Sequence, residues 1–135
     1  MLTPNQLDHF NQQGYLVIQD FIKPQQRHAL MARAQQLIED FEPPIKRSVF
    51  TTDEQERTSD DYFLSSGNQT RFFFEEKAID SDGNFTVAKQ QSINKIGHGQ
   101  HEHDPVYKAT VTALDFNNIG QQLGLNKPRA VQSMH

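Results

Sequence analysis

Three of the six histidines in this chain fall within six positions of one another. They lie in the run Ser92-Ile93-Asn94-Lys95-Ile96-Gly97-His98-Gly99-Gln100-His101-Glu102-His103-Asp104-Pro105. Neutral imidazole is the commonest metal ligand. A catalytic zinc site takes three protein ligands and keeps one open position, so His98, His101 and His103 suffice in number. Their spacing argues the other way. His98 and His101 are three apart, which suits one helix face, while His101 and His103 are two apart, which suits one strand face. No single regular element presents all three. H-E-x-x-H is missing, because Pro105 stands four positions after His101. Non-haem iron takes two histidines and one carboxylate on one face. In none of the six histidines does a carboxylate follow two positions later, so the compact His-x-Asp/Glu form is missing too.

Asp104 has a simpler use as the N-cap of a helix that opens with Pro105. His101 and His103 are then placed to pack or hydrogen-bond where that helix begins. On this reading the cluster supplies neither metal ligands nor catalytic residues. A small metal-binding protein using His98, His101, His103 and His135 is the competing expectation. Lys95 is a different case. It sits in Ile93-Asn94-Lys95-Ile96, a strand-like stretch. A buried ammonium without a partner is costly, so a protein carboxylate or a bound anion is expected beside it.

The elements that must position these residues are legible in outline. Thr3, Pro4 and Gln6 form a helix start with a capping box, Leu2 and Leu7 a hydrophobic staple, and Gly14 a stop. Tyr15 to Ile18 reads as a short buried strand. Pro24 opens a second helix whose Leu30, Ala34, Leu37, Ile38 and Phe41 share one stripe, and Pro43-Pro44 ends it. Residues 45–70 are polar, carry an acidic run from Asp53 to Asp61, and read mostly as a long loop. Arg71 to Glu75 is an aromatic strand, expected to form a hairpin, 71–79 with 84–88, across Ser81-Asp82-Gly83-Asn84. Ser92 to Ile96 is a further strand. The Pro105 helix presents Val106, Thr110, Ala113 and Leu114 inward, breaks near Asp115 to Asn118, and resumes to Leu123 before Gly124. Arg129 to Met134 reads as a last strand.

Composition bounds the rest. The chain has 135 residues, enough for a single domain over 1–135. A net charge of -4 gives no polybasic face, which argues against nucleic-acid partners. Only 35% of residues are apolar and sixteen are glutamine, so an extensive polar surface or an incomplete core is expected. There is no cysteine, which excludes disulfides and thiolate ligands. No apolar run has the length of a membrane span, and no secretory signal opens the chain, so a cytoplasmic location is expected.

Several separate segments resemble the phytanoyl-CoA dioxygenase family, closest to the cytosolic phytanoyl-CoA dioxygenase domain-containing proteins. They are Gly14 to Val17, Asp61 to Gly67, Arg71 to Glu75, Ser92 to His98, His101 with His103 to Val106, Leu123 to Leu125, and Val131 to Met134. They occur in family order. The resemblance implies an α+β fold that is the N-terminal portion of a double-stranded β-helix (a jelly-roll, cupin-like barrel), with flanking helices and the barrel incomplete. It implies an oxidoreductase that uses Fe(II) and 2-oxoglutarate to hydroxylate a lipid or acyl-CoA-like small molecule. Lys95 and Met134 match family residues that line the 2-oxoglutarate pocket. The family's His-x-Asp motif, its later histidine and its distal arginine all lie beyond the segment matching Val131 to Met134. These 135 residues alone are therefore expected to be inactive and to hold neither iron nor cosubstrate stably. A complementary half, or self-association through open strand edges, is expected as partner. A non-catalytic interaction module is the alternative.

Overall fold

Several helix starts are fixed by a local hydrogen bond that the sequence specifies. The computed structural model describes residues 1–44, 48–49 and 60–135. In α1 (Pro4–Gln13), Thr3 and Gln6 form the reciprocal capping box, and Gly14 closes the helix in a left-handed conformation, φ 78°. In α2 (Pro24–Asp40), the Gln26 Oε1 accepts from the Lys23 amide. The far end of α2 is satisfied from a distance: Lys89 Nζ donates to the carbonyls of Glu39 and Phe41. In α3 (Asp61–Leu64), Asp60 caps the Tyr62 amide.

A three-stranded antiparallel sheet, in the order β1-β2-β3, carries the centre of the fold. β1 is Thr70–Phe74, β2 is Ile93–His98, and β3 is Ser133–Met134. The register sets Phe72 opposite Ile96, Phe73 opposite Lys95, and Gly97 opposite Met134. Directly opposed residues share a face, so the two sides of the sheet are distinct. On one side Phe72 and Ile96 meet Ala34, Leu37, Ile38 and Phe41 of the α2 stripe. Phe41 stacks on Phe72 with ring centres 4.0 Å apart. On the other side stand Phe73, Lys95, Gly97 and Met134. The chain forms α4 (Lys89–Ser92) just before β2, and α5 (Gln100–His103), α6 (Pro105–Ala113) and α7 (Phe116–Gln122) after it.

Several expectations are corrected. Tyr15 to Ile18 is not a strand: no sheet partner lies beside it among the described residues, and Tyr15 and Val17 are exposed. Without a neighbour to complete its ladder, an extended apolar run remains a connector. The 71–79 strand does not pair with 84–88 beyond a single bridge between Ile79 and Phe85, because β2 takes the β1 edge. The last strand shrinks from Arg129–Met134 to two residues. Half of the expected loop at 45–70 (45–47 and 50–59) lies outside the described residues, and its later part contains the α3 helix. The inner face of α6 is centred on Tyr107 and Thr110, with Ala113 exposed. What holds is a mixed helix and sheet arrangement whose sheet is not closed. No helix among the described residues is long and apolar enough to cross a membrane.

Tyr107 gives a measurable consequence. Its hydroxyl is buried and has no hydrogen-bond partner among the described residues. Burial, and secondarily the Asp104 charge, push its pKa up to about 12, with Arg33 opposing. An unfolded tyrosine ionises near 10, at about the usual model value. Between pH ~10 and ~12 the unfolded chain loses this proton before the fold does, so stability falls as pH rises through that window. Urea melts should show this loss in the native chain. Tyr107→Phe should remove it, and should be neutral or stabilising by up to ~1 kcal/mol at pH 7, since no hydrogen bond is lost.

Candidate functional site: the Lys95 face of the sheet

Lys95 and Met134 are far apart in sequence and meet over one glycine. Gly97 lies two residues after Lys95 on β2 and directly opposite Met134 on β3. A Cβ at Gly97 would lie 3.7 Å from the Met134 Cγ and 3.9 Å from the Lys95 Cγ and Cδ. Both side chains therefore cover the bare backbone of Gly97. β3 is held in this register by reciprocal backbone bonds between Ile96 and His135, of 2.9 and 3.0 Å.

The Lys95 ammonium lies over two aromatic rings, 4.9 Å from the centre of Phe73 and 5.3 Å from that of Phe63. Such contacts favour a cation that is partly withdrawn from water. Phe73 is fully buried and packs edge-on against both Tyr62 and Phe63. α3 is thus the element that seats the rings beneath Lys95. Aromatic faces are thus among the partners of Lys95. Met134 is 57% exposed, so this face of the sheet opens to solvent on the β3 side.

The three clustered histidines turn to three different residues on two segments, the 66–69 turn and β3. His98 Nδ1 is 2.8 Å from the Ser66 hydroxyl after α3. His101 Nδ1 is 3.0 Å from the Ser133 hydroxyl on β3, and the same hydroxyl accepts from the His101 amide. His103 Nε2 meets the Asn68 carbonyl and side chain at 3.1 and 2.9 Å. His135 packs edge-on against Tyr107. Among the described residues no group of three or more His, Asp or Glu side chains is placed to hold a metal ion. The histidines instead tie β2, β3 and the 66–69 turn together. Gly99 allows this closeness: a Cβ there would fall 2.9 Å from the Gln69 amide. Asp104 caps α6 by accepting from the amides of Val106 and Tyr107, and its other oxygen pairs with Arg33 at 2.6 Å.

Family resemblance named Lys95 and Met134, and nothing in the sequence reading named the residues that surround them, Phe63, Phe73, Ser66 and Gly97. One signal was available: Asp60 followed by Asp61-Tyr62-Phe63-Leu64 is a capped, apolar helical turn inside an otherwise polar stretch. A separate groove of about 560 Å³ lies between α6, α7 and the 125–133 segment. It is lined by Leu114, Phe116, Leu125, Arg129 and Ser133 among others, and does not include Lys95.

Comparison with known proteins agrees with this arrangement of segments. The family model described as phytanoyl-CoA dioxygenase (PhyH) matches residues 10–135. The chain is 42% identical over 134 residues to a phytanoyl-CoA dioxygenase of Arabidopsis thaliana, covering 99% of this chain and 47% of that protein. It is 38% identical over 139 residues to phytanoyl-CoA dioxygenase domain-containing protein 1 of Bos taurus, covering 99% and 48% respectively. A homologue of that protein in Caenorhabditis elegans is 35% identical over 130 residues. The chain spans about half the length of the curated relatives it matches. With a family match running through nearly every element described above, the chain belongs to the phytanoyl-CoA dioxygenase family.

Proposed function

We propose that these 135 residues are the cosubstrate-binding part of an Fe(II)- and 2-oxoglutarate-dependent dioxygenase, and that they are inactive by themselves. The observation that carries this is the meeting of Lys95 and Met134 over Gly97 on the open face of the sheet. A lysine seated on two rings beside a bare stretch of backbone can contact one carboxylate of a small dianion. Met134 supplies an adaptable apolar wall for the carbon chain of that dianion. The sheet, unclosed and edged by β3, is compatible with part of a jelly-roll barrel in which another half would complete the pocket.

The iron does not fit the residues present. It takes two histidines and a carboxylate that converge, whereas His98, His101 and His103 each bond elsewhere and no such group forms among the described residues. In the complete site the metal would supply oxygen activation. The role left to this chain is binding and orientation. Lys95 alone gives one point of charge and no bidentate clamp, so cosubstrate binding by these residues is weak. The natural substrate is proposed, by family, to be a lipid or acyl-CoA-like molecule, and the natural partner the complementary half of the fold.

An assay of succinate formation with Fe(II) and 2-oxoglutarate tests the inactivity of the isolated residues. No succinate above the rate of free iron is expected, and turnover by residues 1–135 alone would overturn it. A second reading, a module that binds a partner by strand addition, draws on the same open β3 edge and on Val131, which is 84% exposed. Sedimentation distinguishes the two states: a concentration-independent monomer would count against a partner-seeking edge.

A further inference from the structure

Tyr15, Leu16, Val17 and Ile18 are four apolar residues in an extended segment that no described strand accompanies. Their exposure alternates: Tyr15 is 57% and Val17 64% exposed, while Leu16 and Ile18 are half-buried. That is the period of a strand with one face on the molecule and the other open. Leu16, Val17 and Ile18 make no backbone hydrogen bond among the described residues. The segment is nevertheless held at both ends. Gly14 turns the chain out of α1 with φ 78°, and Asp20 turns it again with φ 54°. Tyr15 stands edge-on to His9 of α1, and Phe21 edge-on to Phe116 of α7, each with ring centres 5.2 Å apart. No residue of α1 is fully buried, and a cleft of about 390 Å³ runs between its Asn5, Gln6 and His9 and the segment Tyr15 to Val17.

We propose that Tyr15 to Ile18 is a docking strand for the complementary half of the fold, which lays an apolar strand along it and covers Tyr15 and Val17. The proposal rests on the reading of these 135 residues as part of a larger dioxygenase. The match to known relatives uses 99% of this chain but 47% of one relative and 48% of another, so each carries about as much sequence again. Tyr15 to Ile18 lies within the residues that the family model matches. The ends of the segment are fixed in the extended form, so little ordering remains to be done when a strand arrives.

The residue pattern says what kind of strand fits. A strand with one wet face alternates apolar with polar residues, whereas a strand covered on both faces reads as a continuous apolar run. Tyr15 to Ile18 is of the second kind. Its partner therefore supplies ladder hydrogen bonds and an apolar cover together. A second copy of the chain fits less well. Two four-residue strands paired with each other bury far less than the roughly 1,200 Å² of a stable interface. A half that also extends the sheet beyond β3 brings the remaining area.

The test is hydrogen exchange at the amides of Leu16, Val17 and Ile18. It is measured in the 135-residue chain over a range of concentrations, and in this chain joined to the remaining half of the Arabidopsis thaliana relative. The β2 amides report in both that the sheet is folded. The three amides should exchange freely in the 135-residue chain, and at least one should slow by roughly a hundredfold or more in the joined protein. Val17→Asp should abolish that protection in the joined protein and leave the urea midpoint of the 135-residue chain unchanged. Free exchange at all three amides of the joined protein, with β2 protected, overturns the proposal and leaves the dioxygenase reading standing. Protection already present in the 135-residue chain overturns it too, and protection that rises with concentration assigns the strand to a second copy. Val17→Asp that destabilises the 135-residue chain as much as the joined protein also counts against it. A joined protein with neither succinate release nor any newly protected amide overturns both readings.

Discussion

Phe73→Ala should destabilise the fold by roughly 3–5 kcal/mol, the range for removing a buried aromatic side chain. Phe73 has no exposed surface and touches Tyr62, Phe63 and His98 with its ring. Its loss opens a cavity between α3 and the sheet that the surrounding strands cannot close. The effect reaches beyond packing, because the same ring supports the Lys95 ammonium. A small domain has about 5–15 kcal/mol in hand, so this substitution alone should shift the urea midpoint far toward zero. Phe73→Leu keeps most of the volume and should cost roughly 1–2 kcal/mol while still removing the cation–ring contact. Equal melting curves for the native chain and Phe73→Ala would show that α3 does not pack on this face.

Asp104→Ala is expected to cost roughly 2–4 kcal/mol, and the cost has two separable sources. One is the cap: both the Val106 and Tyr107 amides lose their acceptor, at about 1 kcal/mol for an N-cap aspartate. The other is the ion pair with Arg33, which joins α2 to the start of α6. Breaking a buried pair by removing one partner costs roughly 3–5 kcal/mol. Arg33 is 25% exposed, so water recovers part of that penalty and places the sum below the full total. Asp104→Asn keeps an acceptor for the cap and loses the charge. It should recover about 1 kcal/mol relative to Asp104→Ala in chemical melts. If the two variants melt together, the cap contributes nothing and the ion pair carries the whole effect.

These residues also show where the sequence was readable. Caps are local, and Thr3, Gln6, Asp104 and Pro105 announce their helices within four positions. The α2 stripe is periodic and the β1 strand rich in aromatic residues, and both were equally plain. Pairing was harder, because it is decided by partners distant in the chain. Nothing near Arg71 says that β2, rather than the segment after the Asp82–Gly83 turn, will take its edge. Tyr15 to Ile18 has strand-like composition, but composition cannot supply the neighbouring strand that a ladder requires. The Asp104 cap within the histidine cluster was legible, but the separate partners of the three histidines, Ser66, Ser133 and Asn68, were not. The meeting of Lys95 with Met134 came from family resemblance. Its physical basis, the bare Gly97 between them, is a register effect that only the paired strands reveal.

The most direct test of the Lys95 face joins residues 1–135 to the remaining half of the Arabidopsis thaliana relative. Succinate release with Fe(II) is then measured against 2-oxoglutarate concentration. The joined protein should turn over. Lys95→Met in the joined protein should raise the KM for 2-oxoglutarate by roughly tenfold or more, as expected for losing a charge-assisted contact worth about 1.5–3 kcal/mol. A joined protein that turns over with the same KM whether or not Lys95 is present would contradict the assignment of this face as the cosubstrate wall.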